Sequence, residues 1–410
     1  MQPWKRNLLF ICLAQLATMV GFSTYGSFIP YYLQELGVDS YEAALAWTAA
    51  FNSGASTAMM IAAPIWGRLA DLHGRKLMLV RATAAGTVLA ALMSLVTDPA
   101  QLIVIRIAQG ALCGTMGAAM TLVATGTPER NLASSLGALQ TTQYVGMAIG
   151  PMIGGFLADA TNYRSVFPMA AAFIGSGLLA IILGVREVRK PKQAVKEDKP
   201  KVTIRSAIRI RGIVSGTTML LIGALASTSF AMAVLVPIIP LYIQVLVTDS
   251  DRLATTAGLI ASVSAISTAI SAMVIGRLAD RIGLKRVLVA CVVGVAATFV
   301  PQALVDNPTQ LIMLRIVQGV FVGGILPTAN ALLAVSTPQE HRGTIFGLTT
   351  SMQSGGNALG PIIGAGVASL WGLTSGFYLT AVIFAILATV LQIFVKPNLS
   401  RYAKEPSPEI

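Results

Sequence analysis

Charge is scarce in this chain of 410 residues: Asp, Glu, Lys and Arg make up 11% of it, against 55% hydrophobic residues. Many apolar stretches reach the roughly 20 residues that a helix needs to cross a hydrocarbon core about 30 Å thick. A set of soluble domains is therefore excluded. Cysteine is rarer still. Cys12, Cys113 and Cys291 all lie in apolar runs without pairing or metal-ligand spacing, so they read as small buried hydrophobes and no metal site is expected. The two histidines, His73 and His341, fall between apolar runs. No Ser/His/Asp constellation and no phosphate-cradling loop accompanies them, which argues against an enzyme, an ATP-driven pump or a bound cofactor. An Ala-x-Ala-like cleavage site is also missing after the first apolar run, whose length suits a retained span and not a signal-peptide core.

What the sequence has in quantity is basic residues in short loops. The formal net charge is +12, yet these residues sit between apolar runs, where they orient a membrane protein, so a nucleic-acid partner is not expected. Helix-compatible runs fall at about 7–33, 43–66, 77–96, 100–125, 134–158 and 165–185, then at about 213–245, 254–276, 287–305, 309–335, 343–369 and 374–395. The expectation is an all-α polytopic fold of twelve transmembrane helices in two pseudo-symmetric six-helix halves. Residues 1–185 form the first bundle, 186–211 a basic linker, 212–396 the second bundle and 397–410 a tail. With a cytoplasmic N-terminus, every one of the 29 Lys and Arg except Arg164, Arg252, Arg106 and Arg315 falls on the inner side. Both termini are accordingly expected inside.

The halves repeat each other in detail. Gly67-Arg68-Leu69-Ala70-Asp71-Leu72-His73-Gly74-Arg75-Lys76 returns as Gly276-Arg277-Leu278-Ala279-Asp280-Arg281-Ile282-Gly283-Leu284-Lys285. Pro99 to Gly110 answers Pro308 to Gly319, and Gly146 to Gly154 answers Gly356 to Gly364. Parallel six-helix halves of this kind are found in secondary transporters, whose substrate path runs between them near the midplane.

On these motifs the chain resembles the major facilitator superfamily. The span-five sequence Gly146-x-x-x-Gly150-Pro151-x-x-Gly154-Gly155 is similar to the motif of its drug/proton antiporters, and the partial echo in span eleven resembles their MdtG-like multidrug-exporter branch. The resemblance implies a gating latch of Gly67, Asp71, Gly74, Arg75, Lys76, Gly276, Asp280 and Gly283. Asp71 would face the start of span eleven near Arg342 to Thr344, and Asp280 would face span five near Ser134. Gly67 and Gly74 are expected to let backbones come close, and Pro151 to act as a hinge. The same resemblance implies amphiphilic small-molecule cargo, surrounding lipid, a proton gradient as energy source, a monomeric chain and a bacterial inner membrane.

Arg106 and Arg315 lie inside spans four and ten, where a charge costs roughly 2.5–3.5 kcal/mol at the helix centre and faces a cavity or a partner. Two readings stay open for them: a proton or charge relay, or a lock between spans made through carbonyls, Gln34 or Gln244. The resemblance would add a carboxylate in span one, but this span has no acid before Glu35 at its outer edge, which joins Arg106 and Arg315 as a relay candidate. The expected cavity wall is polar and uncharged, drawn from Gln15, Tyr25, Asn52, Gln140, Gln143, Tyr144, Asn330, Gln353 and Asn357. Met116, Met120 and Phe230 are interleaved with them, and polarizable methionines repack around ligands of different shape. Export of amphiphiles is the leading reading. Uptake symport, or translocation of a lipid or organic anion through Arg106 and Arg315, is the second, and a non-transporting membrane sensor the third.

Overall fold

The computed structural model describes residues 2–187, 216–247, 252–337 and 342–395; most of the expected linker and the tail lie outside them. In the first half the helices are α1 (Pro3–Ser23), α2 (Ile29–Glu35), α3 (Tyr41–His73), α4 (Arg75–Met93), α5 (Pro99–Leu112), α6 (Thr115–Gly126), α7 (Glu129–Ala160) and α8 (Val166–Gly184). The second half holds α9 (Gly216–Val234), α10 (Ile238–Leu246), α11 (Leu253–Ile282), α12 (Leu284–Gln302), α13 (Pro308–Val335), α14 (Arg342–Trp371) and α15 (Thr374–Phe394). No strand occurs among the described residues. Among the described residues, nine helical segments are long and apolar enough to cross a membrane, with α5–α6 and α9–α10 each counted as one. Helices α3, α7 and α14 have 33, 32 and 30 residues but are too polar to join that set. These three helices line the seams between the halves.

Local chemistry sets the helix ends. Asp98 accepts the Ala100 N–H at 2.7 Å before Pro99, and its repeat Asn307 accepts the Gln310 N–H at 3.0 Å before Pro308. Each supplies one of the orphan N-terminal donors with an acceptor, and proline fills the first helical position, where no donor is needed. At the other end, α3 passes directly into α4 through Gly74 at φ 100°, and α11 into α12 through Gly283 at φ 109°. A Cβ is disfavoured in that region, so glycine is required at both turns. Gly67 and Gly276 differ from expectation: a side chain at either would meet nothing within 4 Å. The helices carrying them stand apart from their neighbours there, and no close approach asks for glycine in this arrangement.

Within the first half, α1 packs between α7 and α8, α3 against α5, and α4 against α8. In the second half, α9 packs on α14 and α15, α11 on α13, and α12 on α13 and α15. The halves meet along two seams, α7 with α11 and α3 with α14. On α11, Leu253, Ala254, Ala257 and Ile260 are buried, whereas Ile266, Ile270, Met273, Val274, Leu278 and Ile282 are exposed. Helix α3 shows the same gradient, with Ala44, Leu45, Ala49 and Phe51 buried and Met59, Met60, Ile61 and Ile65 exposed. The halves are thus joined at the ends away from the basic loops and separated toward them.

Candidate functional site

The joined end is held by polar contacts that cross between halves. The carboxylate of Asp159, at the last turn of α7, accepts the Ala254 N–H at 3.0 Å and the Thr255 N–H at 2.6 Å, the first donors of α11. Helix α11 has no side-chain cap of its own, so an acid from the other half takes that place at the positive helix end. Nearby, the Tyr31 hydroxyl donates to the Pro240 carbonyl at 2.5 Å. The amides of Gln34 and Gln244, residues that answer each other in the repeat, pair reciprocally at 3.2 and 3.1 Å. Glu35 follows at the end of α2. Partial burial raises its carboxyl above the ordinary range, with Arg164 opposing the shift.

Small residues make this seam possible. A Cβ on Gly146, Gly150 or Gly154 would collide with Met19, Ser23 or the Thr24 carbonyl beside α1, and one on Gly155 would strike the Ala254 carbonyl of α11. Gly258 of α11 in turn lies against the Pro151 carbonyl. Each glycine removes a side chain where two backbones touch. The mirrored glycines Gly356, Gly360 and Gly364 press on Ala226, Phe230, Ala233 and Val234 in or just after α9. The motif therefore packs α7 onto α1 and α11 at once. Pro151 lies inside an unbroken α7.

The repeated arginines Arg106 and Arg315 sit in related nests. Arg106 Nη1 donates to Gln109 Oε1 and, at 3.2 Å, to the Tyr25 hydroxyl, which itself donates to Gln109 Oε1 at 2.9 Å. The guanidinium carbon lies 4.6 Å from the centre of the Phe51 ring, within cation–π range. Arg315, 5% exposed, repeats only the core of this arrangement, donating from Nη1 to Gln318 Oε1 at 3.1 Å. Both glutamines were unremarked in the sequence reading. Their signal is the repeated Arg-x-x-Gln spacing, one helical turn, which brings the two side chains together. Gln34 and Gln244, the expected partners of these arginines, are occupied with each other.

Of the expected cavity wall, Gln140, Tyr144 and Asn330 line one groove of about 650 Å³ between α7, α11 and α13. Met116 and Met120 line a second cavity of about 580 Å³ bounded by α3, α4, α5 and α6, with Thr350 of α14 at its edge. Gln143 lies beside the first groove and meets Gln140 at 3.4 Å. Gln15 and Tyr25 are instead buried in helix packing, Gln15 donating to the Thr115 hydroxyl at 3.2 Å. The Asn52 amide bonds back to the Thr48 carbonyl, Phe230 packs on Gly356, Gln353 is half-buried and Asn357 exposed.

At the basic end, Glu187 was also missed. Its two carboxylate oxygens accept the Arg75 and Lys76 N–H groups at 2.9 and 3.1 Å, capping α4 immediately after Gly74. Lys76 Nζ donates to the Ile182 carbonyl, and its repeat Lys285 donates to the Gln392 carbonyl, so these motif lysines tie α4 to α8 and α12 to α15. The side chains of Asp71 and Asp280, the acids of the expected latch, lie outside the described residues.

Two repeated helical halves, joined at one end and parted by grooves at the other, define a membrane carrier of the secondary-transporter class. The chain belongs to the Major Facilitator Superfamily, whose family model matches residues 11–251 and 253–409. It is 33% identical over 394 residues to the multidrug resistance protein MdtG of Dickeya zeae (strain Ech586), covering 93% of each chain. It is 34% identical over 382 residues to the MdtG protein of Yersinia enterocolitica, covering 93% of this chain and 91% of the relative. Its fold is that of the nucleoside transporter NupG, solved in a mutant form, with a TM-score of 0.78 at 15% identity over 94% of this chain and all of the other. A D-xylose-proton symporter superposes with a TM-score of 0.76 at 14% identity, covering 96% and 98% of the two chains.

Proposed function

We propose that this protein is a multidrug efflux carrier that moves organic amphiphiles by alternating access in exchange for protons. The observation that carries the reading is the polarity of the seams. Asp159, Tyr31, Gln34 and Gln244 hold one end closed, while a groove lined by Gln140, Tyr144 and Asn330 lies between α7, α11 and α13. The basic loops mark the parted end as cytoplasmic, so this arrangement faces inward and receives cargo from the cell or the inner leaflet. Similarity to multidrug resistance proteins over 93% of the chain supports drug-like cargo.

The further parts of the proposal are twelve membrane passages with both termini inside, residence in a bacterial inner membrane and action as a monomer. The protein is a carrier and not a catalyst, and the proton gradient is its energy source with no bound cofactor. Translocation of an anion through Arg106 and Arg315 is less favoured, because both guanidiniums already donate to glutamines in packed nests.

The test is transport in sealed vesicles holding purified protein, with an imposed pH gradient and a panel of cationic, neutral and anionic amphiphiles. Efflux of at least one compound, abolished when the gradient is collapsed, is the expected result. Movement that ignores the gradient would remove proton exchange and leave facilitated diffusion, and no movement of any compound would overturn the carrier reading.

A further inference from the structure

Arg81 is a cation that the repeat does not share. Arg81 lies two helical turns into α4, inside a segment apolar enough to span a membrane. Its guanidinium carbon sits 3.2 Å from the centre of the Trp66 ring on α3. Trp66 is itself fixed, because its indole N–H donates at 2.6 Å to the Ala111 carbonyl. That carbonyl belongs to the last turn of α5, where the chain breaks at Cys113 and Gly114 before α6 begins, and a helix C-terminus leaves such carbonyls without intrahelical donors. The break thus anchors the indole, and the indole holds the arginine.

Among the described residues the guanidinium has no acidic counterpart. Arg81 makes no hydrogen bond or ion pair, and its Nε and Nη1 are buried without a partner. Among the described residues it is the one charged residue on the wall of the 580 Å³ cavity, whose other side chains there include Met59, Trp66, Met116 and Met120. Burying a cation without an anion is costly; Arg106 and Arg315 also leave guanidinium nitrogens unpartnered, but each has at least a glutamine acceptor, which Arg81 lacks.

The repeat sharpens the contrast. Arg106 and Arg315 recur in both halves, but the positions answering Arg81 and Trp66 are Ala290 and Ile275. Helix α13 runs without a break where α5 and α6 part, and Ile275 packs close against Gly324. The second half folds the same way without the cation, the indole or the break, so the architecture does not require them.

We propose that Arg81 and Trp66 form a binding site for an anionic amphiphile, its carboxylate, sulfonate or phosphate head on the guanidinium and its apolar tail among the methionines. The planar guanidinium matches such heads in charge and shape. The site deepens the efflux reading by naming a cargo class and rests on that reading where the ligand is cargo. The same head-and-tail chemistry could come from an inner-leaflet lipid.

The test uses the full chain in phosphatidylcholine nanodiscs with 11-(dansylamino)undecanoate as probe, its methyl ester as neutral control, and dodecanoate or dodecyltrimethylammonium as competitors. Arg81→Gln is expected to weaken the carboxylate probe at least tenfold and leave the ester unchanged, with Arg81→Lys intermediate. Dodecanoate should compete and dodecyltrimethylammonium should not. Displacement of the probe by added phosphatidylglycerol would assign the site to lipid. Loss of carboxylate efflux in Arg81→Gln vesicles that still export a neutral amphiphile would assign it to cargo, and that neutral transport keeps the test separate from failure of the efflux reading. Equal affinity in Arg81→Gln and wild type, or equal weakening of probe and ester, would overturn the proposal.

Discussion

Replacing Asp159 by Asn should open the closed end of the molecule. Asp159 is half-buried and accepts two charge-assisted hydrogen bonds, at 3.0 and 2.6 Å, from the Ala254 and Thr255 N–H groups of α11. A hydrogen bond to a charged group is worth about 1.5–3 kcal/mol, and a charge at a helix end about 0.3–2 kcal/mol. Asn keeps one acceptor oxygen and loses the charge and the second bond. With allowance for partial exposure, the loss from the closed arrangement is about 1.5 kcal/mol, close to a tenfold change in the ratio of closed to open molecules. Spin labels at Thr97 and Asp306, exposed in opposite halves near this end, would report the change as a longer distance component in nanodiscs. Asp159→Ala, which keeps no acceptor, should shift the populations further. If wild type, Asn and Ala variants gave the same distance distribution, the cap would be incidental to gating and the reasoning from the seam would fail.

Three other outcomes are expected. Gly154→Ala drives a methyl into the Thr24 backbone and should destabilise the protein by about 1–3 kcal/mol, whereas Gly67→Ala, facing open space, should leave the melting temperature unchanged; a thermal-shift assay in detergent decides. Glu187→Gln removes the charge that caps α4 and should cost about 0.5–2 kcal/mol, read as faster hydrogen exchange at Arg75 and Lys76, with unaltered exchange counting against the cap. Gln318→Leu strips the buried Arg315 of its acceptor and should destabilise by about 1–3 kcal/mol. Gln109→Leu should cost less, since Arg106 keeps Tyr25 and Phe51; equal losses in denaturant titrations would refute the distinction.

The architecture was readable because duplication writes it twice: paired Gly74 and Gly283 turns, paired arginines and paired proline-capped helix starts each corroborate the other. The site was readable where it obeys the repeat and obscure where it departs from it. Asp159 follows Leu157-Ala158 and looks like an ordinary charge at a span's end, but its repeat position is Ser369, and α11 begins without a cap. Arg81 passed as one more inner-loop cation, although Ala290 stands at its repeat position. Glu187 lies at the start of the basic linker, and only folding brings it to Arg75 across more than a hundred residues. Gly67 and Gly276 show the opposite limit: a sequence records the needs of every state a carrier visits, and one structure displays one of them.

The lone carboxylate at Asp159 also breaks the twofold symmetry of motion. The α7–α11 seam is pinned by an ionic cap, while Ser369, at the answering place on α14, turns its hydroxyl back to Gly366 of its own helix. A pair of jaws with equal hinges would part evenly. This molecule resembles a door bolted along one jamb, so small thermal openings are expected first on the α3–α14 side, where a solute or lipid tail outside the closed end would meet a crevice before the pinned one.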